Sequence, residues 1–430
     1  MAEILPLTAL RYDLAQAGPL QHLLAPPYDV IDPELRAELA ARSPYNVVHI
    51  DLPEAGARQG DRYAHAAATL DEWRRNTAVV QDETPAIWAL AQECIGPDGR
   101  ALTRQGFLCR VRIEDPTALD ASIRPHERTH PGPTEDRLRL TRATKANLSP
   151  IFSLYDDPGR TAGGALQPHI RTSRPFGEAT GEDGTTNRLW RITDPNAIAT
   201  VIETVAGGEL LIADGHHRYE TARAYAQEIG DHEGPHQYVL MCLVALQDPG
   251  LTVFPTHRLV TGLEDDPDRQ DALDAAIREH FDVEELPDEA SLVPEPGAGD
   301  GLVQIGYMDA HAKRPYMLTL KDQGIADAAL AGHAEPYRRL DTAVLEALVL
   351  KGALDMTDAQ IDHLDGLDYA RDLSQALGAL HSGEHDAGFF MGATPVEQIQ
   401  AVADAGEHMP PKSTYFFPKI PTGLVLNPLA

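Results

Sequence analysis

Lysine is scarce in this chain: six occur in 430 residues, at Lys145, Lys313, Lys321, Lys351, Lys412 and Lys419. Lys and Arg together number 36 against 66 Asp and Glu, a formal net charge of −30. That lack of positive charge excludes non-specific binding of a nucleic-acid backbone, which needs a basic footprint. An acidic surface of this kind suits a salt-tolerant source, where it keeps the chain soluble. Cysteine is equally sparse. Cys94, Cys109 and Cys242 have no metal-ligand spacing, and an odd number fits a reducing compartment. No apolar run approaches the roughly 18 residues of a membrane span, and no signal peptide precedes Leu5. A cytoplasmic, soluble protein without a membrane partner is expected. Glycine-rich dinucleotide loops, internal repeats and low-complexity tracts are missing as well.

What is present begins with ordinary globular composition, 43% hydrophobic and 24% charged. The length allows two or three domains. Ala25-Pro26-Pro27-Tyr28-Asp29-Val30-Ile31 is a rigid extended segment. Asp32-Pro33 starts a helix to about Ala41, and Val47-Val48-His49-Ile50 reads as a strand. A helix follows over about 62–76, and 86–90 and 104–111 form a hairpin around Gly96-Pro97-Asp98-Gly99. Residues 156–187 read as loop and edge structure, and Asp194-Pro195 caps a further helix. A buried strand spans 238–246, and Thr394-Pro395-Val396-Glu397 reads as a capping box. The expected domains are 1–262 and an acidic 263–430, whose final segment, 409–420, returns to the site.

The stretch that carries chemistry is Leu210-Leu211-Ile212-Ala213-Asp214-Gly215-His216-His217-Arg218-Tyr219-Glu220-Thr221. It reads as a short buried strand, a turn at Asp214-Gly215, and a helix to Ile229 stopped by Gly230. Cations in a first helical turn oppose the dipole unless an anion sits there. Free backbone N–H groups at such a start favour phosphate or carboxylate, and Arg218, His216 and His217 add donors. The bland alternative is a solvated helix start capped by Asp214.

Three other stretches are candidates. His126-Glu127-Arg128-Thr129-His130 matches H-E-x-x-H, the zinc metallopeptidase pattern. That chemistry needs both histidines on one face of a continuing helix. Pro125, Pro131 and Pro133 oppose this, so a structured loop presenting Glu127, with Thr134 capping the next helix, is the stronger reading. Thr256-His257-Arg258, at a strand end, forms a second group of anion-friendly donors. Lys412-Ser413 mimics the end of a P-loop, but Pro411 has no N–H for a phosphate and no helix follows.

Assembled, these stretches resemble a prokaryotic family, domain of unknown function 1015. The resemblance rests on Ala25 to Ile31, Ser43-Pro44-Tyr45-Asn46-Val47-Val48, His126-Glu127 with Pro131-Gly132-Pro133, and Asn147-Leu148-Ser149-Pro150-Ile151-Phe152. Ala213 to Ala222, Pro255-Thr256-His257-Arg258 and Met409 to Phe416 complete it. The central turn is also similar to the D-G-H-x-R turn of the ParB/sulfiredoxin superfamily, which includes free-serine kinases. That second resemblance implies phosphate contacts at Gly215, His216, His217 and Arg218, with Asp214 near the transferred group.

The expected fold is α+β, with mixed or antiparallel sheets, packed helices and a ParB/sulfiredoxin-like portion at 209–230. The leading expectation is a nucleotide-dependent kinase that uses ATP or ADP with Mg²⁺ on a small hydroxylated metabolite, free serine foremost. Catalytic roles fall to Asp214, His216, His217 and Glu127. Gly215, His216, His217, Arg218, Thr256, His257, Arg258 and Lys412 contact nucleotide, and Asp214 ligates the metal. The alternatives are a non-catalytic ParB-like nucleotide-binding regulatory module, with a homodimer among its expectations, and a zinc hydrolase at His126, Glu127 and His130.

Overall fold

The computed structural model describes residues 2–54, 61–96, 99–118, 121–127, 131–230, 232–295 and 301–430. The fold is α+β, and the chain divides into two units. The first comprises Met1–Pro125, Thr129–Thr252 and Pro418–Ala430, and the second His126–Arg128 and Val253–Phe417. The division therefore lies ten residues before the expected boundary at 262, and Pro418–Ala430 belongs to the first unit.

The first unit is organised by a nine-stranded sheet. Its order is Ile123–Arg124, Leu210–Asp214, Ile151–Tyr155, Tyr238–Ala245, Ala101–Arg112, Ile87–Ile95, Thr186–Ile192 and Gly177–Thr180, with Ile4–Leu5 also paired to Ala101–Arg112. Tyr238–Ala245 runs parallel to Ile151–Tyr155, and Leu210–Asp214 parallel to Ile123–Arg124; the other pairs are antiparallel. Central strands read as nearly continuous apolar runs because helices cover them. Ile212, Met241, Leu243 and Val201 meet Tyr219 and Ala222 in one core cluster. Tyr219 and Ala222 lie on the apolar face of His216–Ile229, which settles that helix onto the sheet.

Several expectations need correction. Val48–Asp51 is a helical turn rather than a strand, because Asn46 accepts from Val48 N–H at 3.0 Å and starts it as a cap would. Thr161–Thr172 is a helix despite Gly163, Gly164 and Pro168, with Asp157 accepting from Thr161 and Ala162 N–H. Burial of Ala162 and Leu166 outweighs the weak propensity. The helix Pro131–Thr144 begins ahead of Thr134, which therefore does not cap it. Nor does Thr394 form a capping box: its hydroxyl donates to Ser413 O, and Pro395 is the N-cap of Val396–Asp404. Expected helices at Pro33–Arg42, Arg62–Arg75 and Pro195–Val205 are present, with caps at Asp32, Asp61 and Asp194.

The second unit is built on a six-stranded sheet, ordered Phe281–Glu285, Tyr316–Leu320, Gln304–Asp309, Ala387–Phe390, His257–Val260 and Leu367–Ala370. All its pairings are antiparallel. Leu259, Met308, Phe390, Ala376 and Leu380 form its core.

Candidate functional site

The strand Leu210–Asp214 pairs regularly with Ile151–Tyr155 until the register shifts between Ile212 and Asp214. Such an irregularity re-aims the side chain that follows it. Gly215 then takes φ +99° and becomes the N-cap of His216–Ile229, a helix whose start no side chain caps. Asp214 is therefore not the cap. An added Cβ on Gly215 would meet Arg218 Nε at 2.8 Å, so this glycine is required both for its left-handed backbone and for the approach of the guanidinium.

Asp214 lies between two cations. Arg218, one turn along the helix, donates to its Oδ2, and Lys419 Nζ stands 2.5 Å from its Oδ1. Burial alone pushes the Asp214 carboxyl up, but Lys419, Arg218 and His216 outweigh it and hold the group well below the ordinary carboxylate range. Arg218 also donates to Ser149 Oγ at 2.7 Å and to Pro150 O. Ser149 Oγ in turn accepts from Thr422 Oγ1 at 3.1 Å. His216 is buried and His217 partly so.

Lys419 owes its position to a buried polar network. Gln92 Nε2 donates to Lys419 O at 3.1 Å and Arg104 donates to Pro418 O. Arg104 also donates to Gln92 Oε1 and lies over the Phe152 ring at 4.4 Å. The signal for Lys419 was in the sequence, as one of two lysines close together in a lysine-poor chain. Lys412, the expected nucleotide contact, belongs to the second unit and is exposed, with φ +55°.

The same unit contains a small recess, part of it open to solvent. Its walls include Tyr28, Asp51, Arg137, Arg218 and Thr221. Arg137 donates to Asp51 Oδ1 at 3.3 Å and to Asp136 Oδ2 at 2.5 Å, and lies 4.5 Å over the Tyr28 ring. Burial pushes the Asp51 carboxyl up, opposed by Arg137 and Arg218. Burial, then Asp29, raises the Tyr28 hydroxyl to about 12. Asp51 and Arg137 were missed because no local pattern marks them. Tyr28 lay within a segment read only for its rigidity.

Glu127, Thr256, His257, Arg258 and Lys412 all belong to the second unit, whereas Asp214 to Arg218 belong to the first. Arg258 is 3% exposed and spends its donors on the carbonyls of Thr256, Pro411 and Lys412, with its guanidinium 5.3 Å over Tyr369. It thus braces its own unit. His257 Nδ1 accepts from Met391 N–H at 3.1 Å, and burial, then Arg258, lowers its pKa to about 4. Asp341 is raised to about 6 by burial, against the pull of Arg258 and backbone N–H groups.

The zinc pattern finds no helix at His126-Glu127, and His130 lies outside the described residues. His126 Nε2 is 3.0 Å from Thr414 Oγ1, and its carbonyl accepts from Met409 N–H. Among the described residues no three His, Cys, Asp or Glu side chains gather as a metal site. Both Asp214 oxygens face cations, so the donor set around it does not fit the expected Mg²⁺.

Among solved structures, the chain is similar to a conserved hypothetical protein from Pyrococcus furiosus at 17% identity, covering 70% of this chain and 90% of that one, with a TM-score of 0.35. It is similar to a free serine kinase in complex with AMP at 16% identity, covering 70% and 89%, TM-score 0.35. A third is SbnI with a C-terminal truncation, from Staphylococcus aureus, at 12% identity, covering 72% and 82%, TM-score 0.36. Likenesses this low carry no weight on the chemistry. No curated protein matches the chain. Residues 4–343 match the family model described as "Protein of unknown function (DUF1015)", and the chain belongs to that family.

Proposed function

We propose that this protein binds ATP or ADP through its phosphates at the start of His216–Ile229 and transfers a phosphoryl group to a small hydroxylated metabolite, with free serine the leading acceptor. The observation that carries this reading is the uncapped helix start opened by Gly215, with Arg218 and Lys419 converging beside it on Asp214. Helix-start N–H groups and two cations form the kind of fixed positive field that phosphoryl transfer requires. The similarity of the turn to the ParB/sulfiredoxin superfamily points the same way.

In this reading the acceptor oxygen attacks phosphorus, a new P–O bond forms, and the bond to the departing nucleotide breaks. Gly215, His216 and His217 contact phosphate oxygens. Arg218 and Lys419 balance the charge, and Asp214 keeps both cations in place. Asp214 is a poor proton acceptor because its carboxyl is held so acidic. The acceptor's hydroxyl proton is released to water as the new bond forms. The setting is the cytoplasm, in keeping with three buried free cysteines.

Phosphorus NMR of the protein with Mg²⁺ and ATP or ADP, with and without L-serine, tests the reading. A phosphomonoester signal that depends on serine is the expected result. If neither nucleotide signal changes or broadens, the phosphate site is lost. The acidity of Asp214 also favours a second reading, a regulatory module that binds nucleotide without turnover; broadened nucleotide signals without product would select it.

A further inference from the structure

The recess beside Arg218 contains a carboxylate oxygen that the protein leaves unsatisfied. Asp51 is 4% exposed, its Oδ1 accepts from Arg137, and its Oδ2 is buried with no hydrogen-bond partner. Enclosing an acceptor in this way costs free energy unless something donates to it. Asp51 stays in place because Arg137 is fixed, clamped by Asp136 and by Asp51 O at 2.7 Å and lying over Tyr28. The Tyr28 hydroxyl makes no hydrogen bond among the described residues. Nor does Arg218 Nε, because that guanidinium is held through its Nη atoms by Ser149, Pro150 and Asp214.

The charges on the walls select the ligand. Arg137 and Arg218 line the recess beside Asp51, so a bare ammonium answers the carboxylate but leaves the arginine side of the recess without an acceptor. A bare anion answers the arginines but leaves Asp51 Oδ2 without a donor. A small zwitterion satisfies both. We infer that this recess binds the backbone of a small α-amino acid, its ammonium on Asp51 Oδ2 and its carboxylate on Arg218 and the Tyr28 hydroxyl. As the acceptor site of the proposed transfer, the inference rests on the kinase reading. Arg218 joins the two, since it lines the recess and donates to Asp214.

Isothermal titration of the full chain with L-serine, glycolate and ethanolamine tests it, with AMP and ADP titrated separately. L-serine is expected to bind, with glycolate, which lacks the amine, and ethanolamine, which lacks the carboxylate, at least about tenfold weaker. Asp51→Asn, of equal volume, is expected to weaken L-serine by about tenfold or more while nucleotide affinity is kept. Tyr28→Phe preserves the ring under Arg137 and is expected to weaken L-serine severalfold. If Asp51→Asn does not fold, the three-ligand comparison and Tyr28→Phe decide. Equal binding of L-serine by wild type and Asp51→Asn would overturn the inference, as would no binding of L-serine by wild type at millimolar concentration. Nucleotide binding without serine binding sinks this inference and leaves the phosphate site standing; serine binding without nucleotide binding does the reverse.

Discussion

Asp214 is bonded to two cations, and each bond has a measurable consequence. Its folded-state pKa is depressed, so its contribution to stability is complete above the unfolded value of about 3.9 and is lost as pH falls below that. Asp214→Asn is therefore expected to flatten the acid limb of a urea-midpoint-against-pH curve; an unchanged limb would mean the ion pairs contribute nothing. Lys419→Met leaves Arg218 as the bonded cation. With both side chains partly solvated, at 15% and 16% exposure, a loss of about 1–2 kcal/mol is expected on chemical denaturation. In the second unit, carbon NMR should find Asp341 titrating near the value of about 6 that burial gives it. Titration near the ordinary value of about 3.9 would show that backbone N–H groups and Arg258 outweigh desolvation.

The strand–turn–helix of 210–229 was legible because its signals agree: four apolar residues, Asp-Gly, apolar positions at helical spacing, then glycine. The register shift before Asp214 left no trace in the sequence, since a bulge is decided by the partner strand. At Gly215, Gly215→Ala meets both a positive φ and the Arg218 guanidinium. A loss of about 1–3 kcal/mol is expected, with weakened nucleotide affinity because Arg218 must move. A fully stable variant with unchanged affinity would refute the placement. Val48–Asp51 and Thr161–Thr172 depart from their sequence signals for the opposite reason. Their local propensities point one way, and side-chain hydrogen bonds and burial decide the other.

The whole molecule carries a net charge of −30, and added salt screens the mutual repulsion of its surface carboxylates. Its melting temperature is expected to rise with salt; a flat dependence would remove the salt-tolerant interpretation. Truncation before Pro418 makes a separate point about chain organisation. It removes Ile420, Leu424, Val425 and Leu426, each at most 2% exposed in a unit whose other segments lie far back in the sequence. Burial of such side chains is worth about 1.5–3 kcal/mol each, and a folded protein has only about 5–15 kcal/mol in total. The truncated chain is expected to be insoluble or rapidly proteolysed, whereas a soluble product with a cooperative transition would show the segment to be dispensable.

The α+β class, the central strand–turn–helix, the acidic charge balance and the family could all be read along the chain. Those follow from composition, periodicity and ordered local motifs, which are properties of neighbours along the chain. Packing is what brings Lys419 rather than Lys412 to Asp214. It also spends Arg258 on backbone carbonyls and brings Asp51, Arg137 and Tyr28 to one recess. Asp214 and Lys419 are brought together by a sheet and a buried polar network. Proximity between residues so far apart in the chain is set by packing and by the need to pair buried polar groups, and neither leaves a local pattern to read.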